Sequence, residues 1–175
     1  EACYFNMDME VFITVPATQP LDDLSVSGAG DLVIQDSIVL GSDLRVRVSG
    51  SGELILVGNT PVNMVDVSVS GSGKANLDLD ASDVDTKISG SGKAFLAGSA
   101  TNLNGNISGS GDILAFDMFS QNVDVRISGS GDAEVYVDGG TLTSRISGSG
   151  SVAYKGTPSS VETRITGSGA VVDAN

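Results

Sequence analysis

Ile127-Ser128-Gly129-Ser130-Gly131 is one copy of a motif that recurs along the chain and decides its fold. Each copy consists of a β-branched aliphatic residue, a serine or threonine, a glycine, a variable residue and a second glycine. The first hydroxyl residues of the eight copies are Ser27, Ser49, Ser70, Ser89, Ser108, Ser128, Ser147 and Thr166. Their successive spacings are 22, 21, 19, 19, 20, 19 and 19 residues. A sustained period of this length indicates a repeat architecture built from stacked units.

The residues before each motif alternate between apolar and polar side chains, as in Val123-Asp124-Val125-Arg126-Ile127. Across the copies the first and last of these positions are aliphatic, and the central position is small or apolar. This alternation predicts a short strand, five residues long, that buries one face. Of the two polar positions, one tends to be acidic and the other basic. We therefore expect charge-balanced stacking on the solvent face.

A second apolar alternation follows each pair of glycines, as at Ile113 and Ala115, and turn residues such as Asp138-Gly139-Gly140 then close the unit. Two short strands per unit predict an all-β fold, a single-stranded right-handed parallel β-helix. It would have about eight coils and a repeat of roughly 19–22 residues. An antiparallel sandwich is the alternative, but it would not require the same residue at the same position in every copy.

One domain is expected for residues 1–175, because the 40% hydrophobic share can fill a single core. Residues 1–23 carry Pro16 and Pro20 and precede the first motif, so we expect them to form an atypical first rung and cap. Val11, Ile13 and Val15 alternate there as in a strand. Residues 24–175 carry the repeats with their Ser-Gly-x-Gly corners.

Composition excludes several classes of function. The chain has no histidine, so imidazole catalysis and histidine-bound zinc are excluded for it. A net charge of −13 repels phosphate backbones, and we expect no nucleic-acid partner. Cys3 is the single cysteine and cannot form an intrachain disulfide. Since no run of about twenty apolar residues exists, no membrane-spanning segment is expected.

The motif itself is interpreted as a structural corner, where glycine permits unusual backbone angles or close approach between coils. We expect the stacked serines to hydrogen-bond along the rod. Two representative corners consist of Ser49, Gly50 and Gly52, and of Ser128, Gly129 and Gly131.

A calcium site is the sharper alternative for the motif, since Gly-Ser-Gly-Asp is similar to the Gly-Gly-x-Gly-x-Asp repeat of calcium-binding β-rolls. The position after the second glycine reads Asp31, Glu53, Lys74, Lys93, Asp112, Asp132, Ser151 and Ala170. Two lysines and two neutral residues disfavour a continuous ion ladder and leave only Asp112 and Asp132 as metal candidates. No copy matches a phosphate-binding loop. We therefore predict no metal, no cofactor and no catalytic residues.

Three outward aromatic residues of the second strand, Phe95, Phe116 and Tyr136, form the candidate interaction surface. Ile55 and Leu114 fall on similar outward positions. Such a surface packs a terminal segment or a second subunit, or it forms a ligand groove. The candidate acids for polysaccharide cleavage are Asp83, Asp85 and Asp124, which we interpret as solvated surface or turn residues.

The repeated Ile-Ser-Gly-Ser-Gly units, the preceding outward arginine as at Arg126, and the closing Ile165-Thr166-Gly167-Ser168-Gly169 resemble the family of putative autotransporter adhesins with a head GIN domain. The resemblance extends from about Val11 to Val172. It implies a right-handed β-helix exported by a Gram-negative bacterium of the Bacteroidetes type, at the cell surface or in the periplasm. It carries no catalytic or ligand-binding residues over to this chain.

Together these observations predict a non-enzymatic exported surface protein that acts in adhesion, with a glycan or a protein as its surface ligand. A polysaccharide-binding module is the alternative, followed by a polysaccharide-cleaving enzyme, because such enzymes also use long β-helices. Enzymes of that kind need long loops beside the rod, and the turns here are short. A homo-oligomer formed through the β-helix ends or the outward apolar residues is also expected.

Overall fold

The structure is a computed structural model that describes residues 20–34, 39–57 and 61–175. All secondary-structure elements within these ranges are β-strands, and every strand pair is parallel. The strands are β1 (Leu21–Gly28), β2 (Leu32–Ile34), β3 (Leu40–Gly50), β4 (Glu53–Leu56), β5 (Pro61–Gly71), β6 (Lys74–Gly90), β7 (Lys93–Gly109), β8 (Asp112–Gly129), β9 (Ala133–Val137), β10 (Thr141–Gly148), β11 (Ser151–Lys155), β12 (Ser160–Gly167) and β13 (Ala170–Asp173).

The motif copies lie directly above one another along the rod. Ser89 pairs with Ser108 in the next coil, and Gly90 pairs with Gly109. The same in-register pairing of motif residues continues from β1 through to β12. The predicted parallel β-helix of about eight turns is therefore confirmed, and the sandwich alternative is wrong.

Strand lengths differ from the sequence prediction of two short strands per coil. In the middle of the rod β6, β7 and β8 are 17 or 18 residues long, because each continues from the second strand of one coil into the first strand of the next. A third paired segment joins the two, as where Asp80 lies beside Ser99. The parallel ladder therefore continues around the bend in these coils.

The core is filled by the inward columns that the alternation predicts. Leu103 and Ile107 of the first strand are buried, as are Ile113 and Ala115 of the second. The small central residue has a packing reason, because a Cβ on Gly105 would lie 2.9 Å from Cδ1 of Ile113. The first strand therefore carries a small residue where the opposite strand places a large side chain.

Charges on the outward face of the first strand pair as predicted. Arg126 and Arg145 each place a guanidinium nitrogen 2.9 Å from Oδ2 of Asp124. Nη1 of Arg47 in β3 lies 2.8 Å from Oδ2 of Asp23 in β1 in the same way. The three arginine side chains are about half exposed, so each pair stabilises the fold by roughly 0–1 kcal/mol at most. The confirmed charge-balanced stacking fits a solvent-facing side of the rod.

The N-terminal prediction falls mostly outside the described residues. The predicted strand with Val11, Ile13 and Val15 lies there, as do Cys3 and Pro16, whereas Pro20 is the first described residue. Residues 21–23, which the sequence assigned to the cap, belong to β1, and Leu21 pairs with Leu40.

Candidate functional site

The two glycines of the corner motif have different structural roles. The first has a positive φ, which is 111° at Gly50 and 132° at Gly129, a backbone region that side chains disfavour. From Gly50 and Gly52 onward both glycines approach a backbone carbonyl of the coil below, and the second also lies against a side chain of that coil. A Cβ on Gly131 would overlap a backbone carbonyl and would lie 2.7 Å from Cγ2 of Ile107. Gly52 stands in the same relation to Val26, at 2.7 Å from Cγ1.

Hydrogen bonds between corners are made by the backbone, not by the serine hydroxyls. The amide of Ser130 donates to the carbonyl of Gly109 over 2.8 Å, and Ser51 donates to Gly28 over the same distance. The side chains of Ser49 and Ser128 are exposed, and no motif hydroxyl forms a hydrogen bond to another described residue. The expected serine side-chain ladder is wrong, because the outward hydroxyls point to solvent.

The metal candidates Asp112 and Asp132 serve the ladder between coils. Asp112 accepts a hydrogen bond from Nζ of Lys93 at 2.7 Å and from the amide of Asp132 at 3.3 Å. Asp132 in turn accepts from the amide of Ser151 at 2.8 Å. The hydrogen bond that Lys93 donates to Asp112, and secondarily the negative charge of Asp112, raise the pKa of Lys93 above its ordinary value. The described residues hold no group of three or more His, Cys, Asp or Glu side chains that could bind a metal ion.

A second ladder, which the sequence reasoning missed, lies where the third segment meets the first strand. Asn102 donates to Asp83 at 2.7 Å, Asn122 donates to Asn102 at 3.2 Å, and the amide of Thr141 donates to Asn122 at 3.2 Å. The candidate acid Asp83 is thus held in a structural ladder. The recurrence of Asp or Asn at spacings of 19 and 20 residues was the signal in the sequence.

An open groove of about 600 Å³ runs across the outward face of the second strand. Its outward lining residues are Ile55, Asn76, Asp78, Phe95, Ala97, Leu114, Phe116, Asp117, Glu134 and Lys155. Strand register explains why they meet: Ile55 pairs with Asn76, Asn76 with Phe95, and Phe95 with Leu114. Side chains that point outward from successive coils therefore form one continuous surface.

A bulge in β8 places Phe116 in the groove. The pairing shifts between Phe95 and Ala97, so that Phe95 lies beside Leu114 while Ala97 lies beside Asp117. This coil has 20 residues between motif serines, whereas its two neighbours have 19. The extra residue is accommodated at the bulge, and bulges commonly redirect side chains. Nζ of Lys155 lies 4.2 Å from the centre of the Phe116 ring, a cation–π contact.

Tyr136, the third predicted aromatic, lies next to the groove rather than in its lining. Its ring packs edge-to-face against Phe119, with 4.8 Å between ring centres. Phe119 is 60% exposed and was not singled out from the sequence. The structure therefore brings Phe95 and Phe116 together and places Tyr136 with Phe119 and its strand neighbour Lys155. A functional role for any of the three stays a prediction.

The groove combines an apolar floor with acidic edges. Phe95 is 37% exposed, and Ile55 and Leu114 are half-buried. The carboxylates of Asp78, Asp117 and Glu134 form no ion pair with any described residue. The arrangement offers contact to apolar groups and an attractive potential for cations.

The model of the family described as "Putative auto-transporter adhesin, head GIN domain" matches residues 4–158. The chain belongs to this family. The groove and its bulge thus lie inside the head GIN domain match. No curated protein matches the chain significantly.

Solved structures of three Bacteroidetes proteins are similar to this head GIN domain chain. A putative adhesin from Parabacteroides merdae has 27% identity and a TM-score of 0.84, with 89% of this chain and 64% of that chain covered. A putative adhesin from Parabacteroides distasonis has 29% identity and a TM-score of 0.82, with 87% and 63% covered.

The third structure, a putative lipid binding protein from Parabacteroides distasonis, has 24% identity and a TM-score of 0.74, with 89% of this chain and 59% of that chain covered. That likeness shows the fold alone. The chain spans 59% to 64% of the length of these three proteins. The described residues contain no helix that is long and apolar enough to span a membrane.

Proposed function

We propose that the chain is a binding module of an exported cell-surface protein, and that it acts in adhesion without catalysis. The groove around Phe95 and Phe116 is its binding face. The single observation that carries this proposal is the bulge in β8, which breaks the regular register and adds an aromatic side chain to an open apolar surface. Exposed apolar patches with polar rims are typical of interaction sites.

The placement of two of the three candidate acids, Asp83 and Asp124, supports action without catalysis. Asp83 is held by Asn102, and Asp124 is held by Arg126 and Arg145. Each therefore has a structural partner on the surface of the rod, whereas glycosidases place two carboxylates on opposite sides of the scissile bond. The chain also lacks histidine, the commonest general base.

Export to the cell surface is supported by the family and by the adhesin relatives from Parabacteroides. Antibody staining of intact and permeabilised bacteria tests it. We expect equal staining of both. Staining that requires permeabilisation would contradict the surface location.

An array of glycans and extracellular-matrix proteins, combined with a turnover assay on every bound polysaccharide, tests the binding function. We expect binding without turnover, and we expect the double variant Phe95→Ala/Phe116→Ala to lose it. Phe119→Ala is the matched control, because Phe119 is an exposed aromatic outside the groove lining. Cleavage of a polysaccharide, or equal loss in the control, would overturn the proposal.

A polysaccharide-binding module is the second candidate. It is favoured by one observation, the exposed Phe95 ring beside the carboxylates of Asp78 and Asp117, since aromatic faces and acidic hydrogen-bond acceptors suit sugars. On the same array, retention of glycans alone would select this candidate. A homo-oligomer through the groove or the rod ends stays a prediction, which light scattering over a range of concentrations tests.

A further inference from the structure

We propose that the groove binds an extended basic and apolar segment of a partner protein, with a lysine or arginine seated between Asp78 and Asp117 beside the Phe95 ring. This inference rests on the proposed function, because it names the partner of the same groove. It adds a ligand class and the residues that select it.

The register of the strands builds the cation position. Ala97 of β7 has Asp78 on one side and Asp117 on the other. Parallel strands lie about 4.8 Å apart, so the two carboxylates stand roughly 10 Å apart across a small alanine. Phe95 precedes Ala97 by two residues and therefore points to the same side of the strand. The space above Ala97 is thus bounded by two carboxylates and an aromatic ring.

Acidic groups outnumber basic ones in the lining of the groove, with three carboxylates and one ammonium group. Neither Asp78 nor Asp117 forms an ion pair with a described residue, and Glu134 of the same groove does not either. The one basic residue in the lining, Lys155, already lies on the Phe116 ring. That contact shows that this surface holds an ammonium group against an aromatic face. A second cation is accommodated by Phe95 in the same way.

The floor of the groove favours a peptide over a sugar. Lys155 covers one face of Phe116, which leaves Phe95 as the aromatic ring of the lining that carries no cation. Sugar recognition relies on stacking against such rings. The remaining apolar surface comes from the aliphatic side chains of Ile55 and Leu114, which suit aliphatic side chains of a partner. The net charge of −13 also attracts a basic segment and repels acidic polysaccharides.

Fluorescence anisotropy with a short labelled peptide of alternating lysine and valine tests the inference. We expect this peptide to bind and a peptide with glutamate in place of lysine not to bind. The double variant Asp78→Asn/Asp117→Asn should weaken binding of the lysine peptide roughly tenfold and reduce its salt dependence. Asp43→Asn/Asp85→Asn is the matched control, since it removes the same charge from the first-strand face, and it should change the affinity less than about twofold.

Phe95→Leu keeps apolar surface but removes the ring, and it should weaken binding as well. Thermal unfolding of each variant checks that the fold is intact. We expect it to be intact, because all these positions are at least partly exposed. Equal losses in the two double variants, or equal binding of the glutamate peptide, would overturn the inference. If the lysine peptide fails to bind while groove-dependent binding on the array persists, this inference fails and the proposed function stands. Loss of groove dependence on the array would instead remove the proposed function.

Discussion

The corner motif and the groove are built on the same rod but obey opposite rules. At the corner, every coil repeats the same residues, and the two glycines recur eight times. In the groove, the outward column through β4, β6, β7, β8 and β9 changes at each coil and reads Ile55, Asn76, Phe95, Leu114 and Glu134. Both regions have the same parallel backbone pairing. The difference therefore lies in what the side chains contact.

Corner residues contact the neighbouring coil, whereas the outward side chains of the groove face solvent. From Gly52 onward, the second glycine of each corner lies against a backbone carbonyl and a buried methyl group of the previous coil, so any side chain there would separate the coils. An outward residue has no such neighbour and can vary without changing the fold. Repetition in this chain thus marks structural contact, and departures from repetition mark candidate sites of function.

Gly111→Ala should cause the largest loss of stability among these variants. A Cβ there would overlap the carbonyl of Gly92 and lie 2.5 Å from Cγ2 of Ile88. We expect a loss of about 3 kcal/mol or more in the free energy of unfolding, measured by urea denaturation. Ser110→Ala is the control between the two glycines, since Ser110 is exposed, and it should change stability by less than about 0.5 kcal/mol. Similar losses in both variants would refute the packing argument.

Substitutions at the adjacent residues Leu96 and Phe95 of β7 should have different effects, the first on stability and the second on binding. Leu96 points inward and is 2% exposed, whereas Phe95 points outward and is 37% exposed. Leu96→Ala should lower the free energy of unfolding by about 2–4 kcal/mol because it leaves a cavity. Phe95→Ala should lower it by less than about 1 kcal/mol while removing ligand binding. A large stability loss in Phe95→Ala would show that this ring is part of the fold rather than of a binding face.

Two reciprocal substitutions between threonine and valine in the core of the first strand should change the free energy of unfolding in opposite directions. Thr86 is buried, and its Oγ1 has no hydrogen-bond partner, while Val67 occupies the paired position one coil below. Thr86→Val should raise the free energy of unfolding by about 1 kcal/mol, because it removes an unsatisfied polar group. Val67→Thr should lower it by about 1–2 kcal/mol. Destabilisation by Thr86→Val, in the same denaturation assay, would indicate a partner for that hydroxyl.

The repeat made the fold predictable, because identical positions in successive copies can stack only as parallel coils. The inward columns with Leu103, Ile107 and Ile113 followed from alternation alone. The continuous strands β6 to β8 did not, because pairing through the bends depends on contacts between coils. For the groove, Phe95 and Phe116 could be predicted from the sequence, but the contact of Lys155 with Phe116 could not. Lys155 lies 39 positions after Phe116 in the chain. Such contacts depend on register shifts, of which the 20-residue spacing was the one visible sign.

The smallest effect is expected at Lys93, which lies directly after the corner glycine and marks the boundary between the two regions. Its hydrogen bond to Asp112 raises its pKa above the ordinary value of 10.5. Asp112→Asn should return the pKa of Lys93 toward that value, which NMR titration of the lysine side chain would follow. The asparagine oxygen can still accept the hydrogen bond from the amide of Asp132. Since the pKa is raised in the folded state, the stabilisation by this pair is fully present below pH 10.5 and is lost as the pH rises through the higher folded value. An unchanged pKa of Lys93 in Asp112→Asn would show that Asp112 is not the cause of the raised pKa.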